Sequence, residues 1–190
     1  MPFILDTKSS NYNSLLKCIK RGNLENNSGK HIVIPGVSSF DSLVSNISES
    51  DKNTILSYEY VSGICAGAQV LFESSEEGTE AGLGLLKGRV KKLNANSGVR
   101  IPHLGWNKII VNKNHPMAYL FDGIDIENKK FYFSHSYRFP DSKDVLAYAN
   151  YGERIPVVVA HNNIIAIQFH PEKSYNQGVQ LLKNIFTRPC

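Results

Sequence analysis

The chain has 190 residues, 42% of them hydrophobic and 20% charged, which suits a single domain (1–190) large enough to bury a sizeable core. Its formal net charge of +4 is spread over scattered positions such as Lys17, Lys20, Arg21, Lys91 and Lys92, so no basic run marks a nucleic-acid partner. No apolar stretch reaches membrane-spanning length, no secretory signal opens the chain, and Cys18, Cys65 and Cys190 have neither zinc spacing nor the even count of a disulfide framework; a reduced, cytoplasmic compartment is expected, without a membrane span or a zinc site.

In chain order, Phe3 to Leu5 reads as a short buried strand. Asn11 to Lys20 carries helical spacing at Leu15, Leu16 and Ile19, with Cys18 as packing. His31 to Ile34 is a second strand, stopped by Pro35-Gly36. Asp41 to Ile47 predicts a helix capped by Asp41, with Leu43, Val44 and Ile47 on one face. Tyr60 to Ile64 is an apolar strand running into Cys65, and Gln69 to Glu73 continues as a helix-compatible segment; Gly78 to Gly88 reads as loop. From Arg89 the pattern changes to short β segments: Arg89–Leu93, Lys108–Val111, Lys130–Tyr137, Val145–Asn150, Val157–Ala160 and Ile164–Phe169. Gln177 to Phe186 is a final amphipathic helix with Val179, Leu182 and Phe186 inward. The expected architecture is α/β: an open, mostly parallel sheet flanked by helices, with an added antiparallel β region.

Two short stretches carry chemistry. Gly63-Ile64-Cys65-Ala66-Gly67 sets a cysteine at a strand-to-helix turn, which lifts the side chain out of the sheet, and a helix N-terminus behind the sulfur favours thiolate. Phe169-His170-Pro171-Glu172 ends another apolar strand with a base and, two residues on, a carboxylate to orient it. Each alone is common; a lone cysteine is usually core, and a lone histidine a satisfied polar residue. Both lie at the carboxyl ends of predicted strands, where open α/β sheets place their chemistry, and together they point to a Cys-His-Glu hydrolase. His103 and His135 read as hydrogen-bonded core residues without chemistry, and His31, His115 and His161 as surface or turn residues. The run Glu73, Glu76, Glu77 reads as a solvated helix end, and Trp106 fits packing or an interface.

The chain resembles the class I glutamine amidotransferases, and among them it is similar to the glutaminase subunit of imidazole glycerol phosphate synthase. The resemblance rests on Pro35-Gly36-Val37, Gly63-Ile64-Cys65 with Gln69, Phe72 to Gly78, Gly82-Leu83-Gly84, Pro102-His103-Leu104-Gly105-Trp106-Asn107, Phe131 to Tyr137, and Gln168 to Ser174, and it runs over nearly the whole chain. It implies Cys65 as nucleophile, His170 as base and Glu172 as its orienting partner. It implies that Gln69 and Glu77 hold glutamine, that Ser136 and Tyr137 lie near its α-amino and carboxylate groups, and that Gly36 and Val37 form part of the oxyanion hole. Trp106, Tyr132 and Lys173 would face a (β/α)₈ cyclase subunit, the heterodimer partner that receives the ammonia in histidine biosynthesis. No cofactor is implied.

Three departures from the family pattern stand out. A glycine-rich turn, Asp-Tyr-Gly-x-Gly-Asn, is replaced by Asp6-Thr7-Lys8-Ser9-Ser10-Asn11, so any positive φ there falls on Lys8 or Ser10. Ser38 stands where the oxyanion strand has a second glycine, which narrows its freedom. Ala66 and Ala68 replace larger apolar residues and are expected to leave space behind Cys65. Alternatives to the histidine-pathway reading are a paralogous glutaminase feeding an amidotransferase of surface-sugar biosynthesis, a catalytically inactive scaffold subunit, and a hydrolase of γ-glutamyl peptides on the same fold.

Overall fold

The computed structural model describes residues 1–8, 11–25, 29–95 and 98–187. Ser10 and Cys190 lie outside the described residues. Seven strands form the main sheet: β1 (Phe3–Ile4), β2 (His31–Ile34), β3 (Tyr60–Ile64), β7 (Ile110–Val111), β10 (Val145–Tyr151), β11 (Glu153–His161) and β12 (Ile164–Ile167). Their order is β1-β2-β3-β12-β11-β10-β7. The first four are mutually parallel, and the last three extend the sheet in antiparallel fashion. Beside it lie a three-stranded sheet of β4 (Phe72–Ser75), β5 (Leu86–Lys92) and β9 (Tyr137–Arg138), and a two-stranded one of β6 (His103–Asn107) and β8 (Phe131–His135).

The period of two along the parallel strands divides the core. Ile4, Val33, Ile64, Ile165 and Ile167 face one layer, with Leu15, Cys18 and Ile19 of α1 (Tyr12–Arg21) and Leu181, Leu182 and Ile185 of α5 (Tyr175–Phe186). Leu5, Ile32, Ile34, Val61 and Ala166 face the other, under Phe40 and Leu43 of α2 (Phe40–Asn46) and Ile55 of α3 (Glu49–Ser57). Both faces are covered, as parallel strands require. No helix among the described residues is long and apolar enough to cross a membrane.

Four local expectations are corrected. The segment after Cys65 is helical only over α4 (Ala66–Gln69), and Phe72–Ser75 is strand, because Ser74 and Ser75 pair with Arg89 and Val90. The Glu73, Glu76, Glu77 run is therefore no helix end: Glu73 accepts from Gly88 N–H and Lys87, and Glu76 from Lys92 N–H, clamping β4 to β5. Ser39, not Asp41, occupies the N-cap of α2; Asp41 accepts from the amides of Thr79 and Glu80. His31 is buried, stacked on Tyr60 at 4.6 Å with the edge of Phe186 at 5.7 Å.

Candidate active site

Cys65 follows the last residue of β3 with φ 53° and ψ −115°, and its carbonyl accepts the first bonds of α4 from Ala68 and Gln69. A non-glycine residue held there stores on the order of 1–3 kcal/mol of strain, which the surroundings must over-determine. They do: the Cys65 amide donates to Ile167 O at 2.8 Å, tying the elbow to β12. The flanking glycines serve by close approach. A Cβ on Gly63 would stand 2.4 Å from Gly67 O, and one on Gly67 2.0 Å from Ile34 O. Gly36 packs the same way, its Cβ position 2.3 Å from Gly67 N, so the Pro35-Gly36 turn rests directly on the elbow. Ala66 and Ala68 are buried at this backbone crossing, where Gly36 and Gly63 pack closely against them.

β12 leads to His170, whose amide donates to Tyr132 O at 2.8 Å; the Ser174 hydroxyl donates to His170 O at 2.6 Å and accepts from Tyr132 N–H at 3.0 Å. The ring is thus held from both sides of its backbone. Its Nδ1 lies 2.7 Å from Glu172 Oε1, the same ring interacts electrostatically with the Cys65 side chain, and Cys65 Sγ lies 3.6 Å from Ser134 O. Burial by itself would depress the imidazole, but the bonds and charges of Cys65 and Glu172 outweigh it and hold the proton on His170 up to about 9. Burial pushes the Glu172 carboxyl up; the bonds from His170 and Asn11 prevail and keep it below the usual glutamate value. Two distant stretches of chain therefore meet as sulfur, imidazole and carboxylate, an arrangement suited to nucleophilic attack with proton transfer.

A cavity of about 250 Å³ opens in front of Cys65, lined by Ser38, Gln69, Glu77 and the stretch Ser134 to Tyr137. Gln69, Glu77, Ser136 and Tyr137 are thus brought together around the sulfur. Gln69 Nε2 donates to Gln168 Oε1 at 3.1 Å, and Gln168 Nε2 reaches Cys65 Sγ at 3.9 Å. Burial raises the Glu77 carboxyl, opposed by the bond its Oε2 accepts from Phe40 N–H at 2.9 Å and aided by nearby Asp41. Gly36 and Val37 do not line the cavity; Ser38 does, and Val37 is exposed beside it. A larger cleft of about 1120 Å³ between Asn107–Val111 and Phe121–Glu127 holds none of the triad. Its lining holds no cysteine or histidine, whereas the smaller cavity opens on Cys65.

A class-I glutamine amidotransferase model matches residues 6–188. The chain belongs to that family. The amidotransferase is 41% identical over 164 residues to imidazole glycerol phosphate synthase subunit HisH of Leptospira interrogans, covering 80% of this chain and 78% of that one. It is 41% identical over 155 residues to the subunit of the same name from Staphylococcus aureus strain Mu50, covering 80% and 74%. Among solved structures, a glutamine amidotransferase superposes with a TM-score of 0.65 at 19% identity over 96% of this chain and 97% of that one. The glutaminase domain of Trypanosoma brucei CTPS gives 0.57 at 15% identity over 97% and 91%. At those identities the structures speak to the fold, which they share.

Trp106 and Tyr132 lie opposite each other across β6 and β8, ring centroids 5.6 Å apart, and Lys173 Nζ sits 5.7 Å from the Tyr132 ring. Trp106 is 41% exposed, so it is not simple core. Tyr175, even more exposed, stacks on it at 5.0 Å and 7°. Three residues of the amidotransferase escape sequence reasoning. Asn11 Nδ2 donates to Glu172 Oε1 at 2.6 Å and lies 3.4 Å from His170 Nδ1. Its only signal is its place at the end of the altered first loop, where Lys8 takes the positive φ of 56° that a glycine would otherwise supply. Gln168 and Tyr175 sit inside or beside the motif segments but carry no chemical signature of their own.

Proposed function

We propose that the protein is the glutaminase subunit of an imidazole glycerol phosphate synthase, hydrolysing glutamine and passing the ammonia to a (β/α)₈ cyclase subunit in the cytoplasm. The observation that carries the glutaminase reading is the Cys65–His170–Glu172 constellation opening on a cavity with Gln69, Glu77, Ser136 and Tyr137. The 41% identity to subunits of that name supports the pathway over surface-sugar biosynthesis. An intact triad speaks against a scaffold role.

In this reading Cys65 attacks the glutamine side-chain amide with its proton already resting on His170, which delivers that proton to the departing ammonia. Backbone N–H groups after Cys65 and near Val37 stabilise the tetrahedral oxyanion. A glutamyl thioester forms, and water releases glutamate. Gln69 and Glu77 hold the substrate, with Ser136 and Tyr137 near its amino-acid end. Trp106, Tyr132 and Lys173 form an exposed aromatic and cationic patch that faces the partner. Ammonia released into bulk water would be protonated, so a closed route into the partner keeps it nucleophilic.

The test is synthesis by the assembled complex. Cys65→Ala is expected to abolish glutamine-dependent imidazole glycerol phosphate formation and leave ammonia-dependent formation intact. Glutamine-dependent turnover that survived the substitution would overturn the mechanism, and stimulation of glutaminase by a nucleotide-linked sugar alone would move the protein to the sugar pathway.

A further inference from the structure

Two buried histidines lie beside the active-site cavity without serving as its base. His103 on β6 and His135 on β8 face each other in register, with His103 Nδ1 3.1 Å from His135 Nε2. His103 is sandwiched between Phe133 at 4.4 Å and Tyr151 at 3.8 Å, both rings nearly parallel to it. His135 lines the glutamine cavity itself. The chain of bonds does not stop at the pair. His135 Nδ1 lies 2.7 Å from the Tyr137 carbonyl, and Asn107 Nδ2 lies 3.3 Å from His103 Nε2.

Donor and acceptor rules fix every proton in this chain. A carbonyl oxygen only accepts, so His135 Nδ1 carries hydrogen. In a neutral ring its Nε2 then accepts, so His103 Nδ1 carries hydrogen and His103 Nε2 accepts. Read from the other end, Asn107 Oδ1 accepts from Lys108 N–H at 2.8 Å, which fixes the amide orientation and leaves Nδ2 as donor to His103 Nε2 and to Asn150 O at 3.0 Å. The two ends agree, and the direction is single. Burial keeps both rings neutral, His103 down to about 4 and His135 to about 3; the bond to Tyr137 opposes this at His135, while the charges of His103 and His170 add to it.

We propose that His103 and His135 are positioning residues for the glutamine pocket: two imidazoles locked in one tautomer that fix the Ser136–Tyr137 wall and tie it to Asn107, the neighbour of exposed Trp106. The inference rests on the glutaminase reading for the identity of the ligand. The wall has other ties as well. Its Ser136 carbonyl accepts from Leu93 N–H, and β9 pairs with β5 at Lys91 and Lys92. Shifting the Tyr137 carbonyl would move the side chains that meet the substrate's amino-acid end, while the Cys65 and His170 amides stay anchored on Ile167 O and Tyr132 O. The predicted signature is thus on KM.

His103→Phe keeps the ring stack and removes both nitrogens. In the assembled complex it is expected to raise the glutamine KM about tenfold, the size of one lost buried hydrogen bond, with kcat within about threefold of wild type. Alkylation of Cys65 by iodoacetamide, which does not use the wall, should keep its wild-type rate. His103→Asn places an amide N–H where Nδ1 stands and should recover most of the KM. If the phenylalanine variant fails to fold, the asparagine variant and nitrogen-15 spectra of the wild-type chain decide: both rings should show a single Nδ1–H tautomer at pH 7. An unchanged KM in folded His103→Phe, or an Nε2–H tautomer on either ring, overturns the proposal. Wild-type complex with no glutamine turnover would instead sink the glutaminase reading, while the spectra still judge the locked chain.

Discussion

Asn11 shows how the buried Glu172 carboxylate is held beside His170. Glu172 Oε1 receives both His170 Nδ1 and Asn11 Nδ2, and Glu172 Oε2 has no partner among the described residues. Both bonds fall on one oxygen, so losing the amide leaves the buried charge with a single side-chain donor. A hydrogen bond to a charged group is worth about 1.5–3 kcal/mol. Asn11→Ala is therefore predicted to lower kcat for glutamine about tenfold or more with little change in KM, because the amide orients the triad and touches no substrate. Steady-state kinetics of the assembled complex, with the pH profile of kcat/KM, check this; a loss confined to KM would contradict the role. Asn11→Asp should be worse than alanine, since it sets a second carboxylate against Glu172.

At the scale of elements, the parallel strands and the two chemical turns are legible because each carries a strong local signal. Apolar runs end in Pro35-Gly36, in Cys65 between glycines, and in His170-Pro171. α3 is not, although Ser48 and Asp51 form a capping box; only Ile55 of that helix is buried, so its amphipathic pattern is weak. β4 is ambiguous because Val70-Leu71-Phe72 fits helix and strand equally, and pairing with β5 decides it. Convergence of Asn11 on Glu172 cannot be read at all, since no local rule links positions 161 residues apart. α5 supplies an element-scale test. A Cβ on Gly178 would stand 1.9 Å from Pro171 O, so this helix packs directly on the turn that carries His170 and Glu172. Gly178→Ala must push the two apart. Overpacking of this kind costs roughly 1–3 kcal/mol, and the melting temperature should fall by roughly 3–10 °C. Glutaminase activity should fall with it, although residue 178 is not in the pocket; a variant with wild-type stability and activity would show that the helix does not position the turn.

Buried histidines contribute to the pH response of the whole molecule on both sides of neutrality. His103 and His135 titrate at about 4 and about 3 in the fold, against 6.5 for the unperturbed side chain. Between those limits the unfolded chain binds protons that the native state refuses, so stability rises with pH up to about 6.5 and is lost on acidification. His170 has the opposite sign. Burial opposes its charge, but Cys65 and Glu172 raise it to about 9, so the native state holds a proton that the unfolded chain releases above 6.5. That contribution is present below 6.5 and disappears as pH climbs to 9. The two effects together predict a stability maximum near neutral pH with a fall on each side. Urea midpoints of the full chain from about pH 4 to about pH 9.5 would trace it. Cys65→Ala removes one of the two groups that keep the proton on His170 and should flatten the alkaline limb while leaving the acid limb unchanged. His103→Phe removes one of the two suppressed bases and should flatten the acid limb alone. A wild-type profile level from pH 6.5 to 9 would mean that the imidazole of His170 is not held protonated by its neighbours, and the charge arrangement around the sulfur would have to be redrawn.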